Sequence, residues 1–160
     1  MADVMFTEFD DKEVRDFLTQ LNAKLKSIDQ GQKKYAGLLS AIVFEDVAMH
    51  FQQETGSKGK WAAWSNSYRK AMESAGRGNN KILQYSGRLR QNFKPSDYRV
   101  QSDGILWFND AQTKSGYPYA AGHDKGTAAG GKQRDFMYLS KRAMDKISEQ
   151  TLQFMLDEGI

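Results

Sequence analysis

Two apolar stripes near the start of the chain constrain its fold more than any other feature. From Asp10 to Ile28, Val14, Phe17, Leu18, Leu21, Leu25 and Ile28 recur at three- and four-residue spacing, which predicts one helix with one apolar face. Asp10 followed by Glu13 has the form of a capping box, and Gly31 is expected to end the pattern. A second helix is predicted over Lys33 to Glu54, with Tyr35, Leu38, Leu39, Ile42, Val43, Val47 and Phe51 on its main stripe. Phe44 and Met49 fall off that stripe. Gly56 and Gly59 then break the chain.

Beyond these glycines the pattern changes. Ser65 is the expected N-cap of a short helix running to Ala75. A Gly-rich loop, Gly76 to Asn80, leads to ILQYSGRLRQNF, residues 82–93. This stretch reads as a strand-like apolar start, a Ser86 cap, and a one- or two-turn helix over Gly87 to Phe93, stopped by Pro95. Leu89 and Phe93, four apart, would share a face turned to the core. Tyr98–Gln101 and Ile105–Phe108 are predicted strands around Asp103-Gly104, a strong hairpin signal. Asn109 to Gly116 is rich in turn residues, and Asp124 to Gln133 reads as a loop. Arg134–Leu139 is a candidate short strand, and Ser140 should cap a last helix to about Asp157, with Leu139, Ala143, Ile147, Thr151 and Phe154 on its stripe.

The predicted architecture is α+β: a small antiparallel sheet packed against N-terminal and C-terminal helices, with long flexible loops. Residues 1–160 are read as a single domain, with a helical part over 10–54, short helices and a loop over 61–95, the sheet region with loop insertions over 97–139, and a C-terminal helix over 140–157. Trp64, Leu83, Leu89, Phe93 and Phe136 are the expected core anchors.

Composition narrows the function classes. There is no cysteine, which excludes disulfides and thiolate chemistry. The acidic start, MADVMFTEFDDKEV, lacks an apolar signal core, and no stretch reaches the ~18 apolar residues of a membrane span; a protein made and used in the cytoplasm is the expectation. The net charge of +3, from 23 basic and 20 acidic residues, is too small and too evenly spread for a dedicated nucleic-acid-binding domain.

Candidate chemistry is thin. Asp46, His50 and Glu54 are spaced four apart on one helical edge, but one helix rarely supplies a full metal site. Gly126-Thr127-Ala128-Ala129-Gly130-Gly131-Lys132 has the glycine and lysine spacing of a phosphate-binding loop. However, Gln133 stands where magnesium coordination needs Ser or Thr, and neither a feeding strand nor a following helix is evident. No nucleophile elbow is present. The expectation is no enzyme, no catalytic residue, no metal and no cofactor. Arg88 and Arg90, with Arg69, Lys70, Arg77 and Lys81 nearby, leave non-specific DNA contact in a channel as an alternative.

Five short motifs occur in one order: Phe51-Gln52-Gln53-Glu54; Trp64-Ser65-x-x-Tyr68; Ile82-Leu83-x-x-Ser86-Gly87-Arg88-Leu89; Tyr119-Ala120-x-x-His123-x-x-Gly126; and Arg134-x-Phe136-x-x-Leu139-Ser140. This series resembles the Mu-type virion morphogenesis proteins of tailed phages, and is similar to the tail-completion and neck proteins of long-tailed phages. The resemblance implies a structural virion protein of the head–tail junction or tail terminus, a tail terminator or neck protein. Its implied assembly is a homo-oligomeric ring, six-fold to match the tail tube, touching neighbouring neck or tail proteins and no membrane. It implies location in the virion, after assembly in the host cytoplasm. Relatives often carry Pro before the Trp-containing segment, where Gly56-Ser57-Lys58-Gly59 stands here. A ring subunit needs two different complementary surfaces. Arg88, Arg90, Tyr117, Tyr119, His123, Lys125, Lys132 and Arg134 are the candidates for such an interface or for a channel lining. The alternative function is a DNA-contacting packaging or accessory protein.

Overall fold

The computed structural model describes residues 12–27, 31–101, 104–127 and 132–159. The expectations for Asp10, Ile28, Asp103, Gly130 and Gly131 lie outside them, as do the side chains of Val14, Phe17, Leu18 and Leu25. The described elements, in chain order, are α1 (Lys12–Ser27), α2 (Gly31–Gln53), β1 (Thr55–Gly56), β2 (Gly59–Lys60), α3 (Asn66–Ser74), α4 (Arg88–Gln91), β3 (Tyr98–Val100), β4 (Ile105–Trp107), α5 (Tyr119–Lys125) and α6 (Lys141–Glu158). The fold is α+β with two small antiparallel two-stranded sheets, β1–β2 and β3–β4. Contacts gather the described residues into two compact units, one built from those within 47–93 and 109–138, the other from those within 12–46, 94–108 and 139–159.

The second of these units holds α1, the first four turns of α2, β3, β4 and α6. Its core uses Leu21, Tyr35, Ala36, Leu39, Val43, Leu106, Trp107, Ala143 and Phe154. Burial on α2 recurs every three to four residues, as a helix packed on one side requires. The buried face differs from the apolar stripe in composition: Ser40 is inside and Leu38 is 41% exposed. Ser40 is tolerated there because its Oγ donates to the Ala36 carbonyl and accepts from Trp107 Nε1 at 2.8 Å. That bond also fixes the hairpin on α2. The hairpin register is Tyr98 opposite Trp107, Arg99 opposite Leu106 and Val100 opposite Ile105. Tyr35 on α2 meets α6 twice, through Thr151 Oγ1 at 2.8 Å and through the Phe154 ring at 5.3 Å.

The start of α6 is capped from two directions. Ser140 Oγ accepts from Ala143 N, the cap expected from sequence, and Asp46 on α2 accepts from both Ser140 N and Ser140 Oγ. Asp46 therefore serves the helix terminus, where a carboxylate also complements the helix dipole. On the surface, Glu45 is bracketed by Arg142 and Lys146, and these two cations hold its carboxyl below its usual range, Lys146 contributing most.

The first unit contains the end of α2, the β1–β2 hairpin, α3, α4 and α5. Its core is Val47, Phe51, Trp61, Met72, Leu89, Phe93, Ala111, Ala120, Ala121, Phe136 and Met137. Phe51 packs edge-on against Trp61 at 5.6 Å and tilted against Phe136 at 5.1 Å. Gly56 permits a close approach: a Cβ there would collide with the Asp135 carboxylate and crowd the Asp135 carbonyl oxygen. The same carboxylate accepts from Ser57 N at 2.9 Å.

Several expectations are corrected. Gly31 opens α2 instead of closing α1, with Lys33 and Glu54 falling within about one turn of the observed bounds. The glycines at 56 and 59 form a hairpin. The strand expected at 134–139 is absent because its backbone groups are engaged elsewhere. Phe136 N and Met137 N both donate to Asp124 Oδ1, Asp135 O accepts from Trp61 Nε1, and Phe136 O pairs with His50 Nδ1. The loop expected from Asp124 begins only after α5, which ends at Gly126 in the left-handed region (φ 75°). The strand-like start at Ile82 is a turn, since Leu83 adopts φ 60° and Gln84 N bonds back to Lys81 O. Ser86 is not the cap of α4; that position belongs to Gly87 at φ 72°, with Ser86 Oγ 3.5 Å from Arg88 N.

Candidate interaction groove

Four of the five motifs meet in three dimensions. Within the unit formed by 47–93 and 109–138, a groove of about 500 Å³ is lined from α3 and its cap by Trp64, Ser65 and Tyr68. The 81–89 segment contributes Lys81, Leu83, Tyr85, Ser86 and Leu89. Tyr119 and His123 come from α5, and Lys132 and Arg134 complete the wall.

Local geometry sets each wall. Ser65 accepts from Tyr68 N and starts α3, which presents Tyr68 at the surface, and Trp64 and Tyr68 pack edge-to-face at 5.5 Å. The 81–86 turn is held by Glu54, whose Oε1 accepts from Ile82 N at 2.5 Å, and by Asn80, whose Nδ2 donates to the Tyr85 carbonyl. Both Glu54 (φ 55°) and Leu83 (φ 60°) sit in the left-handed region, a costly conformation for residues bearing a Cβ. Tyr85 stacks beneath Arg77 with the guanidinium carbon 4.3 Å from the ring centroid. The end of α5 is joined to the Arg134 segment, since the His123 carbonyl accepts from Arg134 N at 2.9 Å.

The groove's cations are anchored to carbonyls. Lys81 Nζ donates to Gln52 O, Lys132 Nζ to Ala63 O, and Arg134 through Nε and Nη2 to Ala62 O. Among the described residues, none of them belongs to an ion pair and no Asp or Glu lines the groove. The result is an aromatic groove with uncompensated positive charge. Burial pushes the pKa of His123 down beside them, and Arg134 pushes it further. Its Nδ1 is sealed from solvent with no hydrogen-bond partner among the described residues, which also disfavours a second ring proton. Burial lowers the Arg134 guanidinium too, against an opposite pull from Tyr68.

The residues singled out from sequence divide between groove, surface and core. Tyr119, His123, Lys132 and Arg134 are brought together in the groove. Arg88, Arg90, Tyr117 and Lys125 are exposed and stand outside its lining. Leu89, Phe93 and Phe136 are buried. Trp64 and Leu83, expected in the core, are half-buried on the groove wall instead: the Ser65 cap holds Trp64 at the start of α3, and positive φ turns Leu83 within a bend. Lys81, read from sequence only as a cation near Arg88 and Arg90, and Tyr85, an unspecified position inside the Ile82–Leu89 motif, join them in the groove.

The candidate metal edge separates by role. Asp46 caps α6, His50 pairs with Phe136 O and stacks on Tyr138 at 3.9 Å, and Glu54 holds the 81–86 turn. No cluster of three or more His, Asp or Glu suited to a metal ion occurs among the described residues. No described helix is long and apolar enough to cross a membrane.

Comparison of the chain with family models, with curated proteins and with solved structures finds no match.

Proposed function

We propose that this chain is a structural protein of the phage head–tail junction, a tail-completion, neck or terminator subunit that assembles as a homo-oligomeric ring, without enzymatic activity. The reading starts from the motif order that resembles the Mu-type virion morphogenesis proteins. One observation supports it beyond sequence: motifs separated by up to more than two-fifths of the chain converge on a single groove. Phe51, Leu89, Ala120 and Phe136 of these motifs belong to the core. A groove walled by Trp64, Tyr68, Tyr85 and Tyr119 and flanked by cations has the aromatic-rich make-up of protein interfaces. In this reading the subunit resides in the virion and is assembled in the host cytoplasm, with neighbouring neck or tail proteins as partners and six copies per ring. Mass spectrometry of purified particles, with labelled-antibody imaging, is the test. The protein should be a stoichiometric component near the neck; its absence from particles would refute the assignment.

A second reading has one observation in its favour. Exposed Arg88 and Arg90 and the uncompensated groove cations suit contact with DNA in a channel. Duplex affinity measured against salt decides it: a steep fall with rising salt supports DNA contact, and no binding even at low salt removes it.

A further inference from the structure

We propose that the groove binds the acidic-aromatic segment Asp3–Phe9 of a second copy of this chain. The inference rests on the ring reading and names the partner of its groove.

The groove and the segment are complementary in charge and in apolar surface. The groove presents Lys81, Lys132 and Arg134 with no carboxylate in its lining, and none of the three forms an ion pair among the described residues. Its remaining surface is aromatic and aliphatic, with Leu83 and Leu89 beside four aromatic rings. A ligand that fits carries negative charge and large apolar side chains in alternation. The chain's own MADVMFTEFDD supplies that chemistry, with four acidic and no basic residues interleaved with Val4, Met5, Phe6 and Phe9. Phe and Met side chains match the apolar lining, and Asp3 and Glu8 match the cations. Charge-assisted hydrogen bonds to guanidinium and ammonium groups are the strong ones, and among the described residues these cations donate only to neutral backbone carbonyls, weaker acceptors than a carboxylate.

Docking between copies follows from symmetry. A head-to-tail ring requires each subunit to carry two different surfaces that fit one another. A cationic aromatic groove and an anionic aromatic segment on one chain form such a pair, and each subunit then passes its segment to the next. Nucleic acid could use the cations and stack on the tyrosines, but the aliphatic part of the lining has no counterpart in a phosphodiester backbone.

The experiment uses the full-length chain in sedimentation velocity over a range of concentration and salt. A groove variant carries Lys81→Gln, Lys132→Gln and Tyr68→Ala, and a segment variant carries Asp3→Asn, Glu8→Gln and Phe6→Ser. Circular dichroism confirms that both are folded. Tyr68→Ala alone, at an exposed position, serves if the triple groove variant is not. The wild type should self-associate, more weakly as salt rises, and each variant alone should associate at least about tenfold more weakly. Mixing the two variants should restore one interface and give dimers but nothing larger. The inference is overturned by a wild type that stays monomeric, by association that neither variant weakens, or by variants that fail to complement. It is equally overturned if a DNA oligonucleotide, and not a peptide of residues 1–11, binds in a manner lost in the groove variant. A protein found in particles that shows none of this association leaves the head–tail reading intact. Complementing variants of a protein absent from particles would uphold the groove and remove the virion assignment.

Discussion

Asn109 Nδ2 donates to the carbonyl of Leu89 at 2.8 Å, inside the protein, while Asn109 Oδ1 accepts from Ala111 N at 3.1 Å. One buried amide thus holds two loops together: the α4 turn that carries Leu89 into the groove wall, and the segment leading to Tyr117. Asn109→Ala leaves a buried carbonyl and a buried N–H without this partner. Its expected cost is about 1–3 kcal/mol, read by urea denaturation, with Asn109→Asp at least as damaging because it sets a carboxylate against the Leu89 carbonyl.

Leu89 and Arg88 are neighbours with opposite fates. Leu89 is 4% exposed and Arg88 is on the surface. Leu89→Ala should lower stability by about 2–5 kcal/mol. Arg88→Ala should leave the unfolding midpoint within error of wild type while impairing assembly. The reverse order of stabilities would mean that the faces of α4 are misassigned.

Asp46 accepts two hydrogen bonds from Ser140 while itself largely buried. Asp46→Ala should cost more than Ser140→Ala, about 2 against about 1 kcal/mol. Hydrogen exchange should quicken first at the amides of the opening turn of α6.

Gly56 has no room for a side chain against Asp135. Gly56→Ala should destabilise by about 1–3 kcal/mol. Pairing it with Asp135→Gly should recover part of that loss, which a double-mutant cycle measures.

His123 makes the first unit sensitive to acid. Burial, and then Arg134, hold its pKa below the ordinary 6.5. The unfolded chain therefore takes up the proton more readily, so this contribution is complete above the unfolded value and is lost as pH falls through the folded one. Asp124 works the other way. Burial raises its pKa above 3.8 despite the Met137 and Phe136 amides, so its contribution is full at low pH and declines as pH rises through the raised value. Thermal melts should show the wild type losing stability on going from about pH 7.5 to about pH 5, and His123→Gln losing less. An identical slope in both proteins would show that His123 titrates normally.

Local chemistry was enough to read much of the fold from sequence. Ser65 and Ser140 cap their helices with their own side chains, and the β3–β4 strands flank an Asp-Gly pair, so each signal lies within a few residues of the structure it makes. The periodicity of α2 located a buried face in the same way. Of the eight interface or channel candidates, Tyr119, His123, Lys132 and Arg134 line the groove, and Arg88, Arg90, Tyr117 and Lys125 do not. Tertiary structure decided the rest. Residues 134–139 have the composition of a strand, yet Asp124, Trp61 and His50 take their backbone groups. Helix α5 has Pro118 at its N-cap position and no side-chain cap, so the usual Ser, Thr, Asp or Asn start signal is missing. Ser40 and Asp46 are polar residues on a core face, acceptable only because Trp107 and Ser140 meet them there. The groove itself belongs to this class: Lys81, Tyr85 and Arg134 become neighbours only when segments far apart in sequence pack together, and hydrogen bonds between distant residues leave no periodic trace in the chain.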